Sequence, residues 1–256
     1  MTGLHRDARW LVRQVPEGPV RSRLICLPYA CGSARVFHGW AKSLPGVEVV
    51  AVEAPGKGSR LLESPCTDLD ELCHALLEEI TPLAEQSLPF SFFGHSYGGV
   101  LAYELCNRLQ AAGTSMPRRL LLSACGAPWA REPRGYSSLD DVAFKDLLIE
   151  YNATPPEVLA NDAMLAMLLP GLRADFSMLD RYESYWPALD DLPVHVFHGE
   201  DDDITDDELV AWQQRIGQNI SLESLPGGHF FIHEERDRLL EAIASQLHVA
   251  PAVFTF

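Results

Sequence analysis

Residues 92–99 read Phe92-Phe93-Gly94-His95-Ser96-Tyr97-Gly98-Gly99, and this stretch decides the fold. An apolar run ends in Gly-x-Ser-x-Gly, and a helical pattern begins at once. That is the sequence form of a nucleophile elbow. A serine there must sit on a sharp, strained turn so that its hydroxyl projects clear of the backbone. Gly94 and Gly98 remove the side chains that would collide across the turn. Upstream, residues 88–93 predict a short buried strand. Downstream, Val100, Leu101, Leu105 and Leu109 recur at helical spacing. Such a helix points its positive N-terminal end at any oxyanion formed beside the serine.

Working outward, strands and helices alternate. Residues 8–14 predict an edge strand and residues 23–27 a buried one. A small-residue loop follows, Pro28-Tyr29-Ala30-Cys31-Gly32-Ser33-Ala34, and then a helix carrying Phe37 and Trp40. That loop has neither Gly-x-Gly-x-x-Gly nor Gly-Lys-Ser/Thr, which argues against a nucleotide. In a serine hydrolase, a backbone N–H of such a loop joins that of the residue after the nucleophile to hold an oxyanion. Further strands are expected at 47–52, 119–125, 193–199 and 220–225. Helices are expected at 68–86, from the acidic turn through Trp212, and at 234–247. This rhythm predicts a mostly parallel sheet covered on both faces, and the elbow on it makes an α/β-hydrolase fold the expectation.

Residues 126–190 break the rhythm with helical patterns around 140–151, 156–159 and 162–185. One domain is therefore expected, with a core of 1–125 and 191–256 and a helical insertion at about 126–190. Part of the insertion must pack on a small core of its own. Its surplus of Met, Tyr and Trp, placed where such sheets bind ligands, also predicts a lid over an apolar tunnel.

The chain has 256 residues and a formal net charge of −16. That excess disfavours nucleic acid, whose phosphates demand clustered Lys and Arg. No apolar run approaches a membrane span, and the N-terminus lacks the apolar core of a signal peptide. The six cysteines include no Cys-x-x-Cys pair and read as buried thiols in a reducing, cytoplasmic setting. The sequons at Asn152 and Asn219 then carry no meaning.

A serine hydroxyl needs a base, and the base must come from a loop at the same end of the sheet. His229 follows two glycines directly after a strand, so it fits. His95 is expected to pack or hydrogen-bond beneath the elbow, while His195, His198 and His233 lie on or beside other elements. The orienting carboxylate should follow the penultimate strand. Asp202 is the first choice, with Asp201 and Asp203 as rivals. The order Ser96, Asp202, His229 is that of α/β-hydrolases. The acidic run also suits a helix N-terminus. It lacks the spaced glycine and terminal glutamate of a calcium loop, so no metal is expected.

Assembled, the chain resembles the type II thioesterases that accompany non-ribosomal peptide and polyketide synthases. The residues carrying the resemblance are Leu27-Pro28-Tyr29-Ala30-x-Gly32-Ser33-Ala34, Pro55-Gly56 with Arg60, the elbow, and Thr154-Pro155-x-Glu157-Val158-Leu159. They continue with Leu169-Pro170-x-Leu172-Arg173-Ala174-Asp175-Phe176, Tyr182, Pro193, Gly199-x-x-Asp202 and Gly227-Gly228-His229-Phe230-Phe231. The resemblance implies hydrolysis of acyl thioesters on the phosphopantetheine arm of a carrier protein, clearing stalled or wrong acyl groups. It also implies Ser96 as the acylated residue, His229 as proton relay, and the N–H groups of Ala30 and Tyr97 as oxyanion donors. It implies no cofactor beyond the partner's own arm. A monomer is expected, because no exposed heptad is evident. Cys31 stands where the family usually has glycine, Tyr151-Asn152-Ala153-Thr154 replaces a Gly-Gly-Thr, and the proline often found after Asp202 is absent. The rival readings are a small-molecule carboxylesterase and a non-catalytic carrier-binding protein on the same fold.

Overall fold

Strand β4 (Phe90–His95) lies at the centre of the sheet because both its faces are apolar. Phe92 points into one core with Ile25, Leu101 and Leu120. Phe93 points into the other with Leu24, Trp40 and Leu121. Successive side chains of a strand face opposite ways, so such a run must be covered on both sides. The computed structural model describes residues 10–131, 135–150, 160–189, 191–216 and 220–248.

The other strands are β1 (Leu11–Gln14), β2 (Ser22–Leu27), β3 (Val47–Val52), β5 (Leu120–Ser123), β6 (Val194–Gly199) and β7 (Ile220–Leu225). They form a seven-stranded sheet in the order β1-β3-β2-β4-β5-β6-β7. Only β1 runs antiparallel, against β3 at the edge. This is the predicted mostly parallel sheet of the α/β-hydrolase fold. β4 begins two residues later than expected and continues through the Gly-His pair. The register pairs Gly94 with Leu27 and His95 with Ser123, so strand hydrogen bonding runs right up to Ser96.

The longer helices are α1 (Leu69–Ala84), α2 (Tyr97–Ala111), α3 (Asp141–Glu150), α4 (Asp162–Asp180) and α5 (Arg236–Gln246). α1 and α2 pack on the Phe92 face, and α5 packs on the Phe93 face. Asp68 caps α1 by accepting from the Glu71 N–H at 3.0 Å, which fixes its start. The helix expected around Phe37 and Trp40 is broken into a 3₁₀ turn and a single helical turn. Gly39 between them has φ of 79°, a left-handed value that ends the first and starts the second. The C-terminal helix is similarly preceded by a separate turn, Phe231–Glu234.

No strand occurs among the described residues of 126–190. α3 and α4 bury Phe144, Leu148, Leu165 and Leu172 against each other in a small core of their own. α4 ends at Asp180 rather than near Tyr185. The helix expected around 156–159, and the hinge residues 151–154, lie outside the described residues. No described helix is long and apolar enough to cross a membrane.

Candidate active site

The elbow is built by close approach. Ser96 adopts φ 54°, ψ −119° between β4 and α2, a conformation side-chain-bearing residues rarely take. A Cβ on Gly94 would lie 2.2 Å from the Gly98 carbonyl oxygen, and one on Gly98 would lie 2.1 Å from that of Leu27. Both positions must be glycine for the turn to close. The Gly98 contact also presses the elbow onto the end of β2, where the 28–34 loop begins. Ala30 and Tyr97 are thereby brought to the same end of the sheet as Ser96. Tyr97 opens α2, so its N–H is one of the free donors of a helix N-terminus.

His229 and Asp202 come from the loops after β7 and β6, and backbone contacts tie the two loops together. The Asp201 N–H donates to the Gly227 carbonyl at 3.0 Å, and the Glu200 N–H to that of Leu225 at 2.9 Å. A Cβ on Gly199 would lie 2.5 Å from the Gly227 oxygen. The result is a continuous chain. His229 Nε2 lies 2.9 Å from Ser96 Oγ, and His229 Nδ1 lies 3.0 Å from Asp202 Oδ2. The Asp202 side chain is 1% exposed. Asp201 and Asp203 are exposed, and Asp203 faces Arg131 at 3.7 Å. Of the three candidate carboxylates, Asp202 is the buried one, and it accepts from His229 Nδ1 at 3.0 Å.

Donor atoms of Asp202, Asp203 and His229 lie within 4.8 Å of one another. A cation held by all three would have to replace the His229–Asp202 hydrogen bond, so this grouping suits a proton relay better than a metal.

His95 is fully buried under the turn. Its Nε2 lies 3.0 Å from the His229 carbonyl oxygen and its Nδ1 2.9 Å from Ser123 Oγ. A carbonyl can only accept, so Nε2 carries the proton and Nδ1 accepts from the hydroxyl. Burial, with the nearby His229 adding to it, holds His95 well below the usual imidazole range. It stays neutral and fixes the backbone of the residue that touches Ser96. His195 instead bonds Ser221 at 2.6 Å, and His233 bonds the Tyr29 hydroxyl at 3.0 Å. The expectation that His95 sits beneath the elbow, and that these other imidazoles serve elsewhere, agrees with this placement. Burial pushes the Cys31 and Cys125 thiols up to about 12. Both remain protonated at neutral pH, so neither thiol competes with Ser96 Oγ, which lies 2.9 Å from His229 Nε2.

A pocket of about 110 Å³ opens from Ser96 between Val100, Cys125, Tyr136, Leu179 and Tyr182. Tyr182 forms part of its wall. Its hydroxyl donates to Glu104 at 3.1 Å, and Trp186 Nε1 donates to the same carboxylate oxygen at 2.9 Å. Arg108 Nε donates to the other oxygen of Glu104 at 2.9 Å. Three donors thus converge on this buried carboxylate, which anchors the tyrosine hydroxyl.

Sequence reasoning noted Asp175 but gave it no role, and it passed over Lys57 and Glu53. Asp175 is 1% exposed, accepts from the Cys31 N–H at 2.6 Å, and pairs with Lys57. A signal was present. Leu168, Leu172, Asp175 and Leu179 recur at helical spacing along α4, so a carboxylate sits on an apolar face. Such a residue demands a buried partner, but its identity is not written locally.

Residues 22–248 match the family model described as "Thioesterase domain". The gramicidin S biosynthesis protein GrsT of Aneurinibacillus migulanus is 32% identical over 98% of this chain and 99% of its own length. The solved structure of the type II thioesterase BorB from the borrelidin biosynthetic cluster is 33% identical, with a TM-score of 0.81 over 97% of this chain and 100% of that one. RedJ, a thioesterase from the prodiginine pathway of Streptomyces coelicolor, is 32% identical with a TM-score of 0.81, covering 89% of this chain and 91% of that one.

Proposed function

The chain belongs to the thioesterase-domain family, as a type II thioesterase of non-ribosomal peptide and polyketide biosynthesis, and from that premise we propose that it clears acyl groups from carrier-bound phosphopantetheine through Ser96, His229 and Asp202. The observation that carries the mechanism is the hydrogen-bond chain from Asp202 through His229 to Ser96 Oγ, with its 3.0 and 2.9 Å links.

The steps follow from that chain. His229 Nε2 takes the proton of Ser96 as Oγ adds to the thioester carbonyl. Asp202 keeps the Nδ1 proton in place and stabilises the imidazolium. The oxyanion is held by the N–H groups of Tyr97 and Ala30. Collapse breaks the C–S bond, and the imidazolium returns its proton to the departing sulfur. The acyl group now rests on Ser96. A water gives its proton to His229, attacks the ester, and releases a carboxylic acid as Ser96 recovers its hydrogen. A thiol leaves readily, so this step asks little of the acid.

The pocket limits the acyl group. An apolar cavity of ~150 Å³ holds one benzene, so the pocket of about 110 Å³ beside Ser96 suits acyl groups of a few carbons. Short, misloaded groups are the substrates this enzyme should clear fastest. The insertion formed by α3 and α4 serves as the lid. The enzyme needs no cofactor of its own, because the arm belongs to the partner. It acts as a monomer in the cytoplasm on acyl- or peptidyl-carrier domains, and the six free cysteines support a reducing setting.

The test is single-turnover hydrolysis of one short acyl group from a phosphopantetheinyl carrier protein, from free pantetheine and from an oxygen ester. The carrier thioester should be cleaved best, and Ser96→Ala should lower the rate by about 10⁴-fold or more with an unchanged melting temperature. Equal cleavage of the oxygen ester would replace the carrier reading with a small-molecule esterase. Equal rates for wild type and Ser96→Ala would leave only carrier binding.

A further inference from the structure

The oxyanion loop is tethered at three points, and one of them belongs to the lid. Tyr29 is half-buried against the core, edge-on to Phe230 at 5.1 Å and to His95 at 5.8 Å between ring centres. The Ala34 N–H donates to Glu53 at 3.2 Å, and Glu53 in turn accepts from the Ser59 N–H at 2.9 Å. Both of these tethers lie in the sheet-bearing part of the molecule. The third is the Cys31 N–H, which donates to Asp175 Oδ2 at 2.6 Å. Asp175 is on α4.

Cys31 needs that tether more than its neighbours do. Its φ is 61°, in the left-handed region that favours glycine. Its side chain packs on the α3–α4 core, with Sγ 3.9 Å from the Leu168 carbonyl, so that contact too comes from the lid. The peptide linking Ala30 to Cys31 is held in this unfavoured state by one charged acceptor, Asp175. That acceptor is fixed by Lys57, whose Nζ lies 2.5 Å from Asp175 Oδ1 and 5.4 Å above the Tyr97 ring. Helix α4 approaches the 53–60 loop closely at Gly171. A Cβ there would come within 3.2 Å of the Gly56 carbonyl oxygen.

We infer that Asp175 is a positioning residue for the hydrolysis: from the lid it holds Cys31 left-handed and so aims the adjoining Ala30 N–H at the oxyanion, making lid docking and completion of the oxyanion hole one event. Lys57 fixes the carboxylate and ties it to the Tyr97 side of the hole. This rests on the proposed roles of Ser96 and Ala30. It deepens them by giving a function to a buried ion pair that the proton relay leaves unused.

The test uses Asp175→Asn, which keeps the size and an acceptor oxygen and removes the charge. The double variant Lys57→Gln/Asp175→Asn leaves no unpaired charge and serves if the single one folds poorly. Each is measured for kcat and KM on a short acyl-pantetheine thioester, for melting temperature, and for inhibition by butaneboronic acid. That boronate becomes tetrahedral on Ser96 Oγ and places an oxygen in the hole. The expected result is a fall in kcat of roughly 10- to 100-fold with little change in KM, and a parallel weakening of the boronate. Adding Cys31→Gly should restore much of the loss, because glycine takes the left-handed conformation unaided.

A role confined to packing the lid would not be rescued by Cys31→Gly. Unrescued loss, a raised KM at constant kcat, or undiminished boronate binding would each overturn the inference while leaving the triad intact. A wild type that neither hydrolyses the thioester nor binds the boronate would overturn the proposed function, and this inference with it.

Discussion

The two sides of the proposed oxyanion hole are made in opposite ways. On the Tyr97 side the turn itself is local, though it closes against the end of β2. Gly94, Ser96, Gly98 and the first turn of α2 lie within a few residues, and backbone collisions leave the turn one shape. On the Ala30 side the decisive contact links Cys31 to Asp175, 144 residues later in the chain. The elbow is fixed by nonbonded backbone approaches between β4, α2 and the end of β2, and it cannot open without disturbing those elements. The loop depends on a helix packed on a separate small core of Phe144, Leu148, Leu165 and Leu172. A site of this kind holds its nucleophile permanently and can hold its electrophilic pocket conditionally. That suits an enzyme that must admit a bulky carrier-borne arm and then exclude water.

Perturbing the permanent side should cost most. Asp202→Asn keeps the shape but offers Nδ1 the wrong partner, and kcat should fall by about 10⁴-fold in thioester assays. Asp201→Asn and Asp203→Asn should stay near wild type, since both carboxylates are exposed while Asp202 accepts from His229 Nδ1 in a buried position. If Asp203→Asn proved the more damaging, the assignment of the relay would be wrong. The conditional side comes next, with the smaller fall in kcat expected for Asp175→Asn.

A further change on the lid side sharpens the contrast, because it should alter selectivity and leave the chemistry alone. Tyr182 lines both the pocket at Ser96 and a groove lined by Asp68, Arg108 and Trp186. Tyr182→Ala should join the two spaces. Measured as kcat/KM across acyl-pantetheine thioesters, the preference should move from propionyl towards octanoyl by about 10-fold or more. An unchanged chain-length profile would mean that Tyr182 does not close the pocket.

The smallest effect concerns pH and the permanent side. His95 is held below its ordinary range by burial, so the unfolded chain binds a proton there that the folded chain refuses. Its stabilising contribution is complete above the unfolded value near 6.5 and is lost as pH falls below it. The slope is at most about 1.4 kcal/mol per pH unit. Melting temperatures taken between pH 7.5 and 5.5 should decline, and His95→Gln should flatten that decline while lowering stability at pH 7.5. An identical slope in the variant would assign the acid sensitivity to another group.

How much could be read in advance follows the same division. Ser96, His229 and the strand–helix alternation were legible because each is a local pattern. A glycine-bounded serine after an apolar run, or a histidine just past a strand, announces itself within eight residues. Asp202 was only narrowed to three neighbours. Adjacent aspartates differ in where their side chains point, and that depends on the backbone bonds from Asp201 to Gly227 and from Asp202 to Gly199. The broken helix near Phe37 was missed because the apolar spacing survives the interruption at Gly39.

Short-range periodicity and steric exclusion were enough to read the sheet's elements in order and to single out Ser96 and His229 as candidates. Only the packing of distant segments decided which of the three aspartates accepts from His229 Nδ1, which residues wall the pocket beside Ser96, and that Asp175 and Lys57, 118 residues apart, share one buried site. A charge on the apolar face of a helix shows that a partner must exist, because an isolated ion cannot be buried. Which residue answers it depends on how α4 lies against the 28–34 and 53–60 loops, and no local pattern encodes that packing.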